Sequence, residues 1–526
     1  MFANIYTAAL IGVKAHLVSC EVDISKGLPR CTVVGLPDAS VNEAGERVWA
    51  AFSNSGYEAP LGRVRINLAP AELRKEGARF DLAMALAVLA ADDSCSEITP
   101  PMLQNWLVLG ELAMDGNVRP VRGVLLAILM AQKMGLTNIL VPYANFAEAS
   151  LVKGLNCCGV FNLKHAISLI SGQHEQAQAL ELECLSQLKL GGASWLGESE
   201  SSASLVSLVE DDLQYVCGQV VAKRGLEICA AGGHHVLMLG PPGSGKTMLA
   251  RCLPSIMPRL SCQEALEVTS IHSAANYCPQ RLIDEAPFRM PSSNISAAGL
   301  LGSNRPGEIT LAHRGVLFMD EFPEFRRDCL EALRRPLEEG QVEIARAKIH
   351  AQYPCRFTLV AAMNPCPCGY WGDSERGCVC LPSKRRRYLT RLSGPLLDRI
   401  DLQLQVSRTK ASELLETKLA ESSDTVRQRV EMALGIQRER GCRNGFMNTA
   451  QTRRFCLLDR ESKKFLAEAI RFNNLSGRVK DRLCRTARTI ADLEGREHIS
   501  LSDLCEAMEY RAFDRFASSL DLGQMC

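Results

Sequence analysis

No apolar run in this sequence reaches membrane-spanning length. The longest, residues 82–91 and 124–131, are about half of what a bilayer core demands, and a membrane span is not expected. Neither sign of charge dominates, with 60 Lys+Arg against 59 Asp+Glu and a net charge of +1. Any attraction to nucleic acid or membrane must therefore come from local patches. Low-complexity tracts are also lacking, because the 39 Gly and 23 Pro are spread along the chain. That excludes a fibrous fold, or disorder over most of the length. No basic segment precedes the apolar N-terminal stretch, and Glu21 and Asp23 stand where a cleavage site would be needed. A secretory signal is not expected, and the predicted location is the cytoplasm.

What is present is a chain of 526 residues, 47% hydrophobic, enough for about three or four domains of roughly 150 residues. Its 22 cysteines mostly sit singly inside apolar patterns, as at Cys229, Cys252, Cys456 and Cys484. There a thiol behaves as a small hydrophobe. Residues 1–171 alternate between strand and helix patterns, with strands at 32–34, 64–68, 106–109 and 138–141 and helices at 82–91 and 124–134. Over 172–211 the periodicity fades and acids accumulate, which predicts a linker. A second α/β region spans 212–406, with a Cys-rich insert at 366–380. Residues 407–526 carry Ala, Leu, Glu and Arg at helical spacing and predict an all-helical domain.

The strand pattern Val236-Leu237-Met238-Leu239 runs into Gly240-Pro241-Pro242-Gly243-Ser244-Gly245-Lys246-Thr247 and then a helix, which is a P-loop in its required context. The glycines let backbone N–H groups turn toward the phosphates of ATP, Lys246 reaches the β and γ phosphates, and Thr247 offers a hydroxyl to Mg²⁺. A second strand, 315–319, ends in Asp320-Glu321. Asp320 is expected to hold Mg²⁺ through its water shell, and Glu321 to polarise the attacking water. A third strand, 357–362, ends at Asn364, which is placed to orient that water.

Asn364 opens Pro365-Cys366-Pro367-Cys368-Gly369, followed by Cys378-Val379-Cys380: two C-x-C pairs separated by nine residues. Two readings stand open at this spacing, a tetrahedral Zn²⁺ held by four thiolates, or reduced thiols in a polar loop. Lys384-Arg385-Arg386-Arg387 and Arg391 come next, five bases in eight residues without an acid. Such a run is either a solvated face or a phosphate-contacting surface. The stretch 341–350 alternates like a β-hairpin and carries Arg346 and Lys348.

The order P-loop, Asp-Glu strand, strand-end Asn, Ser393-Gly394-Pro395-Leu396-Leu397-Asp398-Arg399-Ile400-Asp401 and helical tail resembles an AAA+ ATPase. Arg305-Pro306-Gly307-Glu308, the segment Leu311-Ala312-His313-Arg314 leading into the Asp-Glu strand, Arg335-Pro336-Leu337-Glu338 and Asn364-Pro365-Cys366-Pro367-Cys368-Gly369 are similar to the magnesium-chelatase-like YifB/ComM family. So are Gly35-Leu36-Pro37-Asp38, Asn67-Leu68-Ala69-Pro70-Ala71 and Gly110-Glu111-Leu112. The resemblance covers the chain apart from the linker. It implies an α/β fold with a Lon-protease-like front domain, an AAA+ P-loop core and a helical C-terminal domain.

It also implies an ATP- and Mg²⁺-dependent motor working as a homohexameric ring on single-stranded or branched DNA, with recombination proteins as candidate partners. In the family this activity is helicase-driven branch migration during natural transformation. Arg399 matches the finger that reaches a neighbour's γ phosphate. Arg478 matches sensor 2, which contacts ATP within its own subunit. In helicase-type relatives a hairpin before the strand-end Asn projects into the pore, which assigns Arg346 and Lys348 to the DNA backbone. The family's Pro-His-His is Pro291-Ser292-Ser293 here, so no role of those histidines carries over. Where Lon has its nucleophilic Ser and its Lys, this chain has Arg79 and Leu125, so a protease is rejected. The competing classes are a metal-chelatase motor subunit and a protein-remodelling machine.

Overall fold

The computed structural model describes residues 2–189, 211–275, 279–346, 349–373, 375–409, 420–473, 476–511 and 513. The chain opens with a long antiparallel hairpin, β1 (Phe2–Ile11) and β2 (Lys14–Ser25), paired from Phe2↔Asp23 to Ile11↔Lys14. Gly12 turns it at φ +62. β3 (Arg30–Val34), β4 (Arg63–Ala69), β5 (Trp106–Val108), β8 (Asn138–Pro142) and β9 (Asn156–Val160) complete a seven-stranded sheet in the order β3-β4-β2-β1-β5-β8-β9. A separate small hairpin pairs β6 (Glu111–Leu112) with β7 (Val118–Arg119). The helix Asp81–Ala91 is apolar almost all round, and every one of its residues is buried against β1 and β2. A helix without a polar face belongs in a core, and this one anchors the front domain.

The second unit is a parallel sheet, β10 (Val236–Leu239), β11 (Phe288–Arg289), β12 (Val316–Met319), β15 (Thr358–Met363) and β16 (Leu402–Gln405), ordered β11-β12-β15-β10-β16. Every residue of β10, β12 and β15 is buried, as expected of strands covered on both faces. The hairpin of β13 (Gln341–Arg346) and β14 (Ile349–Pro354) stands apart, paired from Gln341↔Pro354 to Arg346↔Ile349. The front domain docks on this unit: Gly123 N–H donates to Ser273 O at 2.9 Å, and a Cβ on Gly12 would stand 3.1 Å from Ala351 and 3.4 Å from the Tyr353 ring.

Of the C-terminal helices Ser423–Glu439, Arg460–Asn473, Gly477–Leu493 and Leu501–Glu509, the first and third pack on the helix Val220–Gly232, the fourth on the third, and the second on the fourth. Leu483, Cys484, Ala487, Ile490 and Ala491 form the buried stripe of the third of these. At the amino end of the parallel sheet a buried ion pair ties these helices to the core. Arg482 Nη1 lies 2.7 Å from Asp401 Oδ1, and His234 Nδ1 lies 3.4 Å from Asp401 Oδ2. Burial works to raise the Asp401 pKa, but Arg482, His234 and His235 together hold it well below the usual carboxylate range.

Two expectations change. Residues 172–211 are not all linker, because His174–Lys189 is a helix packed on the helix Leu163–Ile170. Ala177, Leu180, Cys184 and Leu185 face inward at helical spacing while the acids Glu175 and Glu183 stay exposed. The acids concealed that stripe in the sequence. The hairpin of β1 and β2 was not anticipated either. The predicted strands and helices between 32 and 141 are all present, and Cys229, Cys252, Cys456 and Cys484 are buried.

Arg482→Ala should destabilise the protein by about 3–5 kcal/mol, because it takes the guanidinium from a buried carboxylate and leaves it only His234 and the His235 N–H. Because the folded pKa is depressed, the contribution is complete above the unfolded carboxyl pKa of about 3.9 and is lost as pH falls through the folded value. Thermal denaturation of both proteins at neutral and acid pH measures this, with a difference that narrows in acid.

Candidate functional site

β10 delivers the chain to the P-loop, and the helix Lys246–Ile256 starts where the loop closes. Gly243 (φ +75) and Gly245 (φ +87) take left-handed conformations that a side chain would resist. Gly240 has no room for a Cβ, which would stand 2.1 Å from Val406 O. The Lys246 ammonium folds back into the loop, donating to Gly240 O at 2.9 Å and Pro241 O at 2.8 Å, with Asn364 Oδ1 at 3.4 Å. Burial lowers its pKa to about 8, against an opposing pull from Asp320. Ser244 Oγ is buried without a hydrogen-bond partner, while Pro242, Gly243 and Gly245 remain exposed. An anion entering the loop would meet the helix N-terminus and Lys246 together.

β12 ends beside this loop. Thr247 Oγ1 donates to Asp320 Oδ2 at 3.0 Å, so the hydroxyl and carboxylate suited to Mg²⁺ already meet. Glu321 is exposed and left-handed (φ 51), and its N–H donates to Asp320 Oδ1 at 2.9 Å. A non-glycine residue held at positive φ is a strained position of the kind that clusters at functional sites, and the exposed Glu321 side chain is open to solvent. The strand ends thus gather Lys246, Thr247, Asp320, Glu321 and Asn364 along one edge.

Arg399 and Arg478 lie at the other edge. Arg399 is 8% exposed, donates Nε to Arg334 O at 3.1 Å and pairs with Glu338 at 2.6 Å. Arg478 is exposed, with Nη1 4.0 Å from the same Glu338 oxygen. Arg478 lines a cavity of about 810 Å³ with His235, Gly315, Phe357 and Asp401, each at the amino end of a strand whose carboxyl end carries the P-loop side. Four strand residues separate the edges by about 13 Å. Arg478, expected beside ATP in its own subunit, thus stands at the edge away from the P-loop, next to the Glu338 that Arg399 pairs with. The sequence could not reveal this, because the motif fixes residue types and not which edge a C-terminal helix packs on.

The four cysteines converge. Cys366, Cys368, Cys378 and Cys380 Sγ atoms lie within 4.8 Å of one another, with Cys366–Cys368 at 3.3 Å and Cys378 3.6 Å from each. Tetrahedral Zn–S bonds of about 2.3 Å set sulfurs about 3.8 Å apart, so the cluster fits that ion. Backbone N–H groups of Gly369 and Trp371 point at Cys366, and those of Tyr370 and Val379 at Cys368. Arg346 ends β13, and Lys348 lies outside the described residues. Arg79 and Leu125 are both buried, Arg79 Nη2 donating to Arg122 O at 2.8 Å.

One segment escaped the sequence reading. Gln219, left-handed at φ 55, reaches Ser407 O at 2.5 Å and Ser244 O at 3.4 Å, and Val220 and Val221 beside it are 77% and 56% exposed. An exposed apolar pair next to a phosphate loop suits a planar base. Two valines opening a helix carry no such signal in sequence.

Family profiles described as magnesium chelatase, subunit ChlI, match residues 212–414, with its C-terminal part at 420–511 and a further ChlI profile at 20–145. The chain is 41% identical to the Escherichia coli protein named Uncharacterized protein YifB, covering 97% of each. It is also 41% identical to the Haemophilus influenzae protein named Competence protein ComM, over 98% of this chain and 99% of that one. A rat protein named DNA helicase MCM8 is 22% identical over 43% of this chain and 28% of its own length.

Lys246→Ala should weaken ATP binding itself, whereas Glu321→Gln should bind ATP and lose about 10²–10⁴ in hydrolysis rate. In the unmutated protein ATP affinity should hold steady below pH 8 and decline above it, as free Lys246 loses its proton. Binding titrations across that range and steady-state turnover check all three.

Proposed function

We propose the function on the premise that this chain belongs to the YifB/ComM family of magnesium-chelatase-like AAA+ ATPases. It is an ATP-driven, ring-shaped DNA translocase that promotes branch migration and the integration of single-stranded DNA in natural transformation. The observation that carries this reading is the division of the parallel sheet into a phosphate edge and an arginine edge. A motor with both edges on one subunit is completed by stacking the arginine edge of one copy on the phosphate edge of the next. DNA as the track draws support from the full-length relative named for competence and the distant one named a DNA helicase.

Gly240 to Gly245 and Lys246 hold the phosphates, and Thr247 and Asp320 hold Mg²⁺. Glu321 activates water that Asn364 orients. Arg399 and Arg478 leave Glu338 to stabilise the neighbour's γ phosphate. Gln219, Val220 and Val221 take the base. The four cysteines hold one structural Zn²⁺, and Arg346 with Lys348 lines the pore of a homohexamer. A chelatase or protein-remodelling motor would use the same nucleotide site. ATPase assays with forked and four-way-junction DNA separate these readings: junction DNA should raise turnover, and indifference to every DNA would sink the proposal.

Arg399→Ala subunits mixed with Lys246→Ala subunits should recover part of the activity, because some interfaces then pair an intact loop with an intact finger. Absence of recovery in mixed rings verified by mass would assign Arg399 to its own subunit. Elemental analysis of protein purified without chelator should find about one zinc per chain, lost in Cys366→Ser with Cys368→Ser.

A further inference from the structure

The basic run after the cysteines has no part in the nucleotide site, yet its surroundings connect it there. The helix Pro382–Leu389 turns Tyr388 and Leu389 inward and leaves Lys384, Arg386 and Arg387 exposed. None of the three pairs with a carboxylate among the described residues, although the nearby bases Arg391 and Arg408 do, with Glu324 and with Asp373 and Glu375. Unpaired bases on a short helix repel one another and are stabilised by an anion. Beside them Val379 and Leu381 are 87% and 62% exposed, and the Arg385 guanidinium stacks 4.9 Å over the Trp371 ring with its Nε buried and unpartnered. Apolar tips flanked by unpaired cations suit a nucleic acid strand, whose phosphates take the charges and whose bases take the apolar contacts.

Two contacts lead from this surface to the phosphate loop. Gly369, at φ +86 in the cysteine loop, packs so closely on Pro242 that a Cβ would stand 2.5 Å from its Cδ. Tyr388 is buried under the helix with its hydroxyl beside the Asn364 backbone, and the Asn364 side chain faces Lys246 at 3.4 Å. The cysteine loop thus touches the P-loop through Gly369 and the basic helix through Trp371, and that helix reaches Asn364 through Tyr388.

We propose that the helix Pro382–Leu389 and the adjoining cysteine loop form a DNA-backbone contact that transmits DNA occupancy to Asn364 and so sets the rate of ATP hydrolysis. This rests on the DNA-motor reading above and adds to it the surface that senses the strand. It is separate from the hairpin, which would touch DNA without reaching the nucleotide.

The test compares the full-length protein with Lys384→Ala/Arg386→Ala/Arg387→Ala and, separately, with Tyr388→Phe, using labelled oligothymidylate for affinity and a four-way junction for ATPase stimulation. The triple variant should keep its basal turnover, ring mass and zinc content. Its affinity should fall about tenfold, the slope of log affinity against log salt should lessen by about 2, and DNA stimulation should be lost. Tyr388→Phe should bind DNA normally and show a reduced ratio of stimulated to basal turnover. Unaltered stimulation and salt slope in the triple variant overturn the contact, and an unaltered ratio in Tyr388→Phe overturns the transmission. Loss of ring mass or basal turnover in the triple variant assigns the helix to the ring interface and also overturns the contact. Absence of DNA binding and stimulation in the unmutated protein is a different result, the failure of the DNA-motor reading itself.

Discussion

A parallel sheet puts all of its strand carboxyl ends on one edge, and that constraint organises this molecule. β10, β12 and β15 are short, wholly buried and in register, so the residues leaving these strands emerge side by side. Lys246, the Thr247–Asp320 pair, Glu321 and Asn364 come from three separate stretches of sequence and meet for that reason alone. The P-loop glycines serve the same end, since a side chain at Gly240 would collide with the chain leaving β16.

The same geometry assigns the opposite edge its own character. Chain entering the strands carries His235, Asp401 and Arg399, and the helix Gly477–Leu493 closes over it through the Arg482–Asp401 pair. Because that pair is buried, removing one member costs far more than an exposed ion pair would. It fixes where the C-terminal helices sit and therefore where Arg478 points. Glu338 pairs with Arg399 at 2.6 Å and stands 4.0 Å from the exposed Arg478, so one carboxylate faces both arginines.

Much of this was legible in the residues. The P-loop is local, and a strand, a glycine turn and a helix start announce themselves within a dozen or so positions. Asp320-Glu321 and Asn364 were legible as strand ends because the buried strands before them are continuous apolar runs. The cysteine cluster was legible as two pairs, but only folding shows the four sulfurs within 4.8 Å. Placement that depends on how distant helices dock was not legible. Arg478 matched a motif and sits at the other edge from the one expected. The helix His174–Lys189 was hidden because its apolar stripe is thin and its exposed acids dominate composition. The hairpin of β1 and β2 was missed because the apolar run that opens the chain has no clear period of its own, and the pairing across the turn at Gly12 is what makes it a strand.

The central claim, that one subunit's arginine edge completes the next subunit's phosphate edge, is tested most directly by a structure of the assembled protein with Mg²⁺ and a non-hydrolysable ATP analogue. The account predicts a γ phosphate touching Lys246 of one subunit and Arg399 and Arg478 of its neighbour, with Glu338 released from both. A bound analogue approached by no neighbouring arginine, with Arg399 still on Glu338 of its own subunit, would contradict it.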